Sequence, residues 1–146
     1  MKRYVAFYLA ALAVAGCKSM PLSPFISPRV SGRVLAADTR QPLAAVTVKS
    51  GAQATGYRPG MPPKGGELLM AKAPLQTDRD GRFTLETGRV LTPFRRAGWF
   101  SIQLLFECPG YERFRTNYSS LNLSTNSPNG EPLVDAGDIL LQPVSK

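Results

Sequence analysis

After residue 28, apolar and polar residues alternate in short runs with a period of two, and no stretch sustains a helical period. The first run covers 29–36, with Val30, Gly32 and Val34 on one face and Ser31, Arg33 and Leu35 on the other. Residues 37–42 read as a turn, and 46–49 as a second strand with Val46 and Val48 facing in. A stretch rich in Gly and Pro over 50–66 predicts a long loop. Strand character resumes at 68–73, and Pro74 marks a bulge or an edge.

The element around which these runs are arranged is 77–85. An apolar-leaning segment enters Asp78, Arg79, Asp80 and Gly81, whose Asp and Gly tolerate a tight turn, and an alternating strand leaves it. This predicts a hairpin of paired strands, with Phe83 and Leu85 inward and Arg82, Thr84 and Glu86 outward. A second loop follows over 87–98. Residues 99–108 form the longest expected strand. Phe100, Ile102, Leu104, Phe106 and Cys108 share its core face, and Trp99, Ser101, Gln103 and Glu107 the other, with Leu105 breaking the pattern. After a turn at Pro109, Gly110 and Tyr111, a strand over 112–118 points Phe114 inward. A polar stretch over 119–136 precedes a closing strand at 137–141. The whole is a small all-β domain of about seven strands over 29–146, with one core, no repeats and no second domain.

The N-terminus follows a different pattern. Lys2 and Arg3 precede an apolar run from Tyr4 to Val14, the layout of an export signal too short to span a bilayer comfortably. Val14, Ala15 and Gly16 then lead directly into Cys17. This tetrapeptide resembles the lipobox of bacterial lipoproteins. The resemblance implies a signal over 1–16 cleaved after Gly16, a diacylglycerol thioether on Cys17 and acylation of the new amino group. Two or more acyl chains on one residue make a stable anchor where one does not. Lys18 stands where an Asp favours inner-membrane retention in Gram-negative lipoproteins, so the resemblance implies delivery to the outer membrane, on its periplasmic face. Pro21, Pro24 and Pro28 give 17–28 the character of a semi-rigid extended tether, with docking of Phe25 and Ile26 onto the domain as the alternative.

Charge narrows the partners little. The chain carries a formal net charge of +8, and loss of Lys2 and Arg3 with the signal leaves +6. Such a balance fits an anionic lipid, a polyanionic glycan or a soluble surface with no partner. Export argues against nucleic acid.

The order of motifs resembles the carboxypeptidase regulatory-like domain, a transthyretin-type fold. The matches are Ser31 to Val34, Gln41 to Val48, Thr77 to Phe83, Gly110 with Tyr111, and Ala136 to Leu141. They cover nearly all of the chain after the tether, and the 50–66 and 119–136 stretches depart from the pattern. The resemblance implies an antiparallel β-sandwich that serves as an accessory module for folding support, adhesion or carbohydrate contact, with no activity and no cofactor. Fold alone does not assign a function.

Catalytic and metal chemistry find little here. With no His in the chain, Ser-His-Asp and Cys-His arrangements and imidazole metal sites are excluded. Hydroxyisourate hydrolases and intradiol dioxygenases, which use transthyretin-like folds, depend on His, so the chain cannot follow either. Asp78 and Asp80 lack the further oxygen ligands and closing Glu of a calcium loop. If Cys17 is lipidated, Cys108 has no disulfide partner and reads as a small core hydrophobe. Two loops combine aromatics with cations: Tyr57, Arg58 and Lys64 in one, Arg95 and Arg96 leading to Trp99 in the other. Rings stack on sugars and guanidinium forks bind phosphate or carboxylate, so these six residues are candidate ligands for peptidoglycan or lipopolysaccharide. Ordinary loop solubility with a Trp partly covering the sheet is the plainer explanation of the same residues. The resulting expectation is a non-catalytic, lipid-anchored envelope protein acting through protein contact. A glycan-binding module and a small lipoprotein of a secretion apparatus are the alternatives.

Overall fold

In the computed structural model of the chain, the described residues are 25–56, 68–89, 97–121 and 127–145. They contain no helix. In chain order the strands are β1 (Phe25–Ser27), β2 (Arg29–Ala36), β3 (Thr47–Gly56), β4 (Leu68–Ala71) and β5 (Leu75–Gln76). They continue with β6 (Arg82–Leu85), β7 (Gly88–Arg89), β8 (Ala97–Glu107), β9 (Phe114–Ser119) and β10 (Leu133–Leu141).

Two layers enclose one core. The larger sheet runs β4-β3-β8-β9, with β5 also paired to β3, and the smaller runs β10-β2-β6. Past Pro28 the small sheet continues as the β1–β7 pair, Phe25 opposite Arg89 and Ser27 opposite Gly88. Pro28 has no N–H to give to a ladder, which accounts for the break. Val30, Val34, Phe83, Leu85, Val134, Ile139 and Leu141 of the small sheet face Val48, Ala52, Ile102, Leu104 and Phe106 of the large one. This is the all-β sandwich expected from the sequence, with every inward position of β2, β6 and the middle of β8 correctly placed except Phe100, which is half-buried.

The pairing departs from expectation in several places. β10 lies parallel to β2, Ile139 opposite Val34, while every other pair is antiparallel. The strands flanking 78–81 do not form a hairpin: β5 pairs with β3 in the large sheet and β6 with β2 in the small one. The turn therefore carries the chain from one layer to the other. It is tight as expected, because Asp78 Oδ1 accepts the N–H groups of Asp80 (2.9 Å) and Arg82 (2.7 Å). The predicted loop over 50–66 is strand as far as Gly56. Its small residues carry a weak strand signal, but β8 offers an eleven-residue partner, and pairing overrides local preference. Similarly, Gly88 and Arg89 are strand within the predicted 87–98 loop. The closing strand begins at Leu133, inside the predicted polar stretch.

Phe25 and Ile26 take the docking alternative. Ile26 and Ser27 are buried, Ser27 Oγ accepts the Gly88 N–H at 2.7 Å, and the Arg89 guanidinium lies 4.1 Å from the centre of the Phe25 ring. The folded unit thus includes Phe25 and Ile26 ahead of Arg29.

At the large sheet's edge, Phe114 points to the core side opposite Phe106 but is 38% exposed. The expected inward direction is right and the expected burial is not, because β9 overhangs the narrower sheet.

One buried polar side chain ties the turn to the 43–46 segment. Thr77 Oγ1 accepts the Val46 N–H (3.0 Å) and donates to the Leu43 carbonyl (2.7 Å). Thr77→Val keeps the shape and strands both backbone groups, so we expect a loss of about 1–3 kcal/mol in urea unfolding. Thr77→Ser keeps both bonds and should lose less.

Candidate functional site

The outer face of the small sheet carries a shallow depression of about 340 Å³. Register builds it from two polar rows. Asp135, Ser31 and Thr84 form one across β10, β2 and β6; Asp138, Arg33 and Arg82 form the next. Between the rows, Ala136 and Gly137 of β10 together face only Gly32 of β2, a bulge of two residues against one. The bulge needs glycine on both strands. Gly137 has φ +62°, and a Cβ on Gly32 would lie 2.9 Å from Phe83 Cε1 and 3.0 Å from the Gly137 carbonyl. This explains why Gly32 occupies a core-facing position that the alternation would otherwise give to a larger residue.

Two of these side chains are already engaged. Arg33 Nε donates to the Asp80 carbonyl (3.0 Å), and Asp135 Oδ1 accepts the Gly137 N–H (2.9 Å), which braces the bulge. Among the described residues Arg82, Asp138, Ser31 and Thr84 make no side-chain contact of this kind. Arg82 can fork onto a carboxylate or phosphate, and Asp138 can accept from an amine or hydroxyl. The lining holds no imidazole, thiol or amine, so the depression is chemically suited to holding a polar group. Sequence alternation placed Ser31, Arg33, Arg82 and Thr84 outward but could not bring β2, β6 and β10 side by side. Asp135 and Asp138 sit in a stretch read partly as loop, where Ala136-Gly137 was the available sign of a bulge.

Of the candidate ligands named from sequence, Tyr57, Arg58, Lys64, Arg95 and Arg96 lie outside the described residues, as do Gly16 and Cys17. Trp99 can be placed, and its position is a correction. It is half-buried against the core, on the face opposite to the one expected. The cause is a register shift on β8: Ser101 pairs with Gln53 but Trp99 with Ala54, so Phe100 is an extra residue that reverses the alternation. Ser101, expected on the outer face, is buried.

A second polar surface lies on the outer face of the large sheet. Glu107 pairs with Lys49 and, at 3.2 Å, with Arg113, and the hydrogen bond from Lys49 holds its carboxyl below the usual range. Arg115 is exposed in the row of Leu105 and Lys49. Cys108 beside this group is half-buried, and burial pushes its thiol up, which suits a packing role. Among the described residues no three His, Cys, Asp or Glu side chains gather as a metal site.

No protein-family model matches the chain, and no curated protein matches it by sequence. Solved structures do match by shape. A point mutant of Acinetobacter radioresistens catechol 1,2-dioxygenase is 10% identical with a TM-score of 0.51, over 90% of this chain and 55% of that one. Catechol 1,2-dioxygenase from Acinetobacter sp. ADP1 is 13% identical with a TM-score of 0.50, over 89% of this chain and 55% of that one. The C-terminal domain of shaft pilin SpaA from Lactobacillus rhamnosus GG is 16% identical with a TM-score of 0.44, over 81% of this chain and 98% of that one. The chain thus spans about half the length of the two dioxygenases. At such identities the likeness concerns the fold alone, and it agrees with the transthyretin-like β-sandwich class.

Proposed function

We propose that this protein is a lipid-anchored cell-envelope protein whose β-sandwich works by contact with another protein and not by catalysis. The observation that carries the reading is Cys17, placed directly after Val14, Ala15 and Gly16 at the end of an apolar run. Two acyl chains on such a residue hold a domain at a membrane. Phe25 is already part of the sandwich and stands eight residue steps after Cys17, so the lipid can lie no further from it than an extended chain of that length reaches, about 25 Å. The end of the sandwich bearing Phe25 and Arg89 therefore faces the lipid. The absence of His from the sequence removes imidazole chemistry, and the polar depression presents Arg82 and Asp138 as groups that can hold a polar partner.

Radiolabelled palmitate fed to a Gram-negative host expressing the full chain tests the anchor. The wild type should take up label and sediment with membranes, and Cys17→Ala should lose both properties. An unlabelled wild type in the soluble fraction would overturn the reading.

A further inference from the structure

We propose that the outer edge of β9 takes up an extended acidic strand of a partner protein by β-addition. The proposal deepens the protein-contact reading above, and it is independent of the lipid.

The sandwich has unpaired sheet edges among the described residues, and they are not equivalent. The β10 edge is kinked by the bulge at Ala136 and Gly137 and carries Asp135 and Asp138, devices that block added strands. The β4 and β6 edges are each only four residues long. β9 has neither the bulge nor the short length, and the charge it carries, Arg115, is of the sign an acidic strand would neutralise. It pairs with β8 in unbroken register from Phe114 opposite Phe106 to Ser119 opposite Ser101, with no proline in the strand.

The direction of its backbone groups follows from that register. Ser120 N–H donates to the Phe100 carbonyl at 2.8 Å, so the even-numbered residues of β9 exchange their bonds with β8. The N–H and C=O groups of Arg115, Asn117 and Ser119 consequently point away from the sheet. A strand laid there finds a ready ladder.

The side chains specify what that strand should carry. On the core side it would lie beside Phe114, 38% exposed, and half-buried Tyr118, which the narrower opposing sheet leaves uncovered. On the outer side it would lie beside exposed Arg115 and near Arg113, whose side chain is 79% exposed. Among the described residues Lys49 and Arg113 pair with one carboxylate, Glu107, and Arg115 lies in the Lys49 row without an ion pair, so this part of the sheet is net positive. A strand alternating apolar and acidic residues satisfies both sides at once, since cross-strand pairs act face by face. A second copy of the chain is a poorer occupant, because each copy carries a large net positive charge.

The probe is a seven-residue synthetic peptide alternating valine with glutamate, blocked at both ends, titrated into the purified full chain in detergent. A peptide with lysine in place of glutamate is the control. We expect the glutamate peptide to bind at least about tenfold tighter than the lysine peptide at low salt, and the difference to shrink in 0.5 M salt, roughly a 4–5 Å screening length. Amide exchange should slow at Arg115, Asn117 and Ser119, with little change at Thr116 and Tyr118. Asn117→Pro removes an outward N–H and leaves the β8 ladder intact, so it should keep the melting temperature near wild type and abolish binding. Arg115→Glu should reverse the preference between the two peptides. Equal binding of both peptides, no binding, or protection elsewhere would overturn the proposal. So would self-association that disappears in Asn117→Pro, which would give the edge to a second copy. Failure here with palmitate labelling intact leaves the anchor standing, and the reverse outcome leaves the edge site standing.

Discussion

Phe106→Ala should be the most destabilising single truncation in the domain. The side chain is fully buried and meets Phe83 of the opposing sheet edge-on, with ring centres 5.4 Å apart and planes at 68°. It also contacts Phe114 of the edge strand at 6.2 Å. One residue thus joins both layers and the strand at which the partner is proposed to dock. Emptying such a site costs about 3–5 kcal/mol, because the neighbours collapse only in part. For a domain of this size that lowers Tm by about 10–20 °C, which thermal unfolding followed by circular dichroism will show. Phe114→Ala, at a position 38% exposed, serves as the internal comparison and should cost far less. Similar losses in the two variants would mean that the core is not closed where the structure closes it.

Gly81→Ala should cost about 2–4 kcal/mol from the sum of two separable causes. Gly81 sits at φ +72°, where an L side chain is strained. A Cβ there would also lie 2.4 Å from the Val34 carbonyl oxygen. That carbonyl accepts the Leu43 N–H at 3.0 Å, and the Gly81 carbonyl accepts the Val34 N–H at 2.8 Å. The substitution therefore drives apart the turn, β2 and the 43–46 segment together. Gly110→Ala isolates the strain, because φ is +83° there and nothing lies within 4 Å of the added carbon. Urea midpoints of the two variants should differ by the cost of the clash, with Gly110→Ala losing about 1–2 kcal/mol. Equal losses would show that β2 yields to the new methyl group without penalty.

The same turn shows how far sequence reading reaches. Asp78, Asp80 and Gly81 announce a tight reversal, and the reversal is there, held by the Asp78 carboxylate. Whether its two arms pair with each other is a different question. Leu75 found Val48 and Phe83 found Gly32, because the core closes only if the two arms enter opposite layers. A local motif encodes local dihedral angles and carries no information about which distant strand is adjacent.

Bulges limited the reading in a second way. The extra residue at Phe100 moved Trp99 from the expected outer face to the core, and the pair Ala136 and Gly137 hid the first half of β10. Alternation is a counting rule, and one inserted residue inverts it from that point on. The polar depression falls at one of these bulges, which is why its outward residues were visible one strand at a time but not as a site. Tyr57, Arg58, Lys64, Arg95, Arg96 and Cys17 lie outside the described residues, and palmitate labelling tests the last of them.

From its residues alone the chain determines an all-β class, the inward faces of β2 and β6 and most of β8's, the position of the tight turn and the exclusion of imidazole chemistry. Each of these depends on a residue's own properties or on neighbours two positions away. Tertiary structure decided the parallel seat of β10, the crossing between layers, the docking of Phe25 and Ile26, and which strands stand at the sheet edges among the described residues. Those depend on which strand supplies hydrogen-bond partners and apolar area to which, and that competition is settled only when the whole core is assembled.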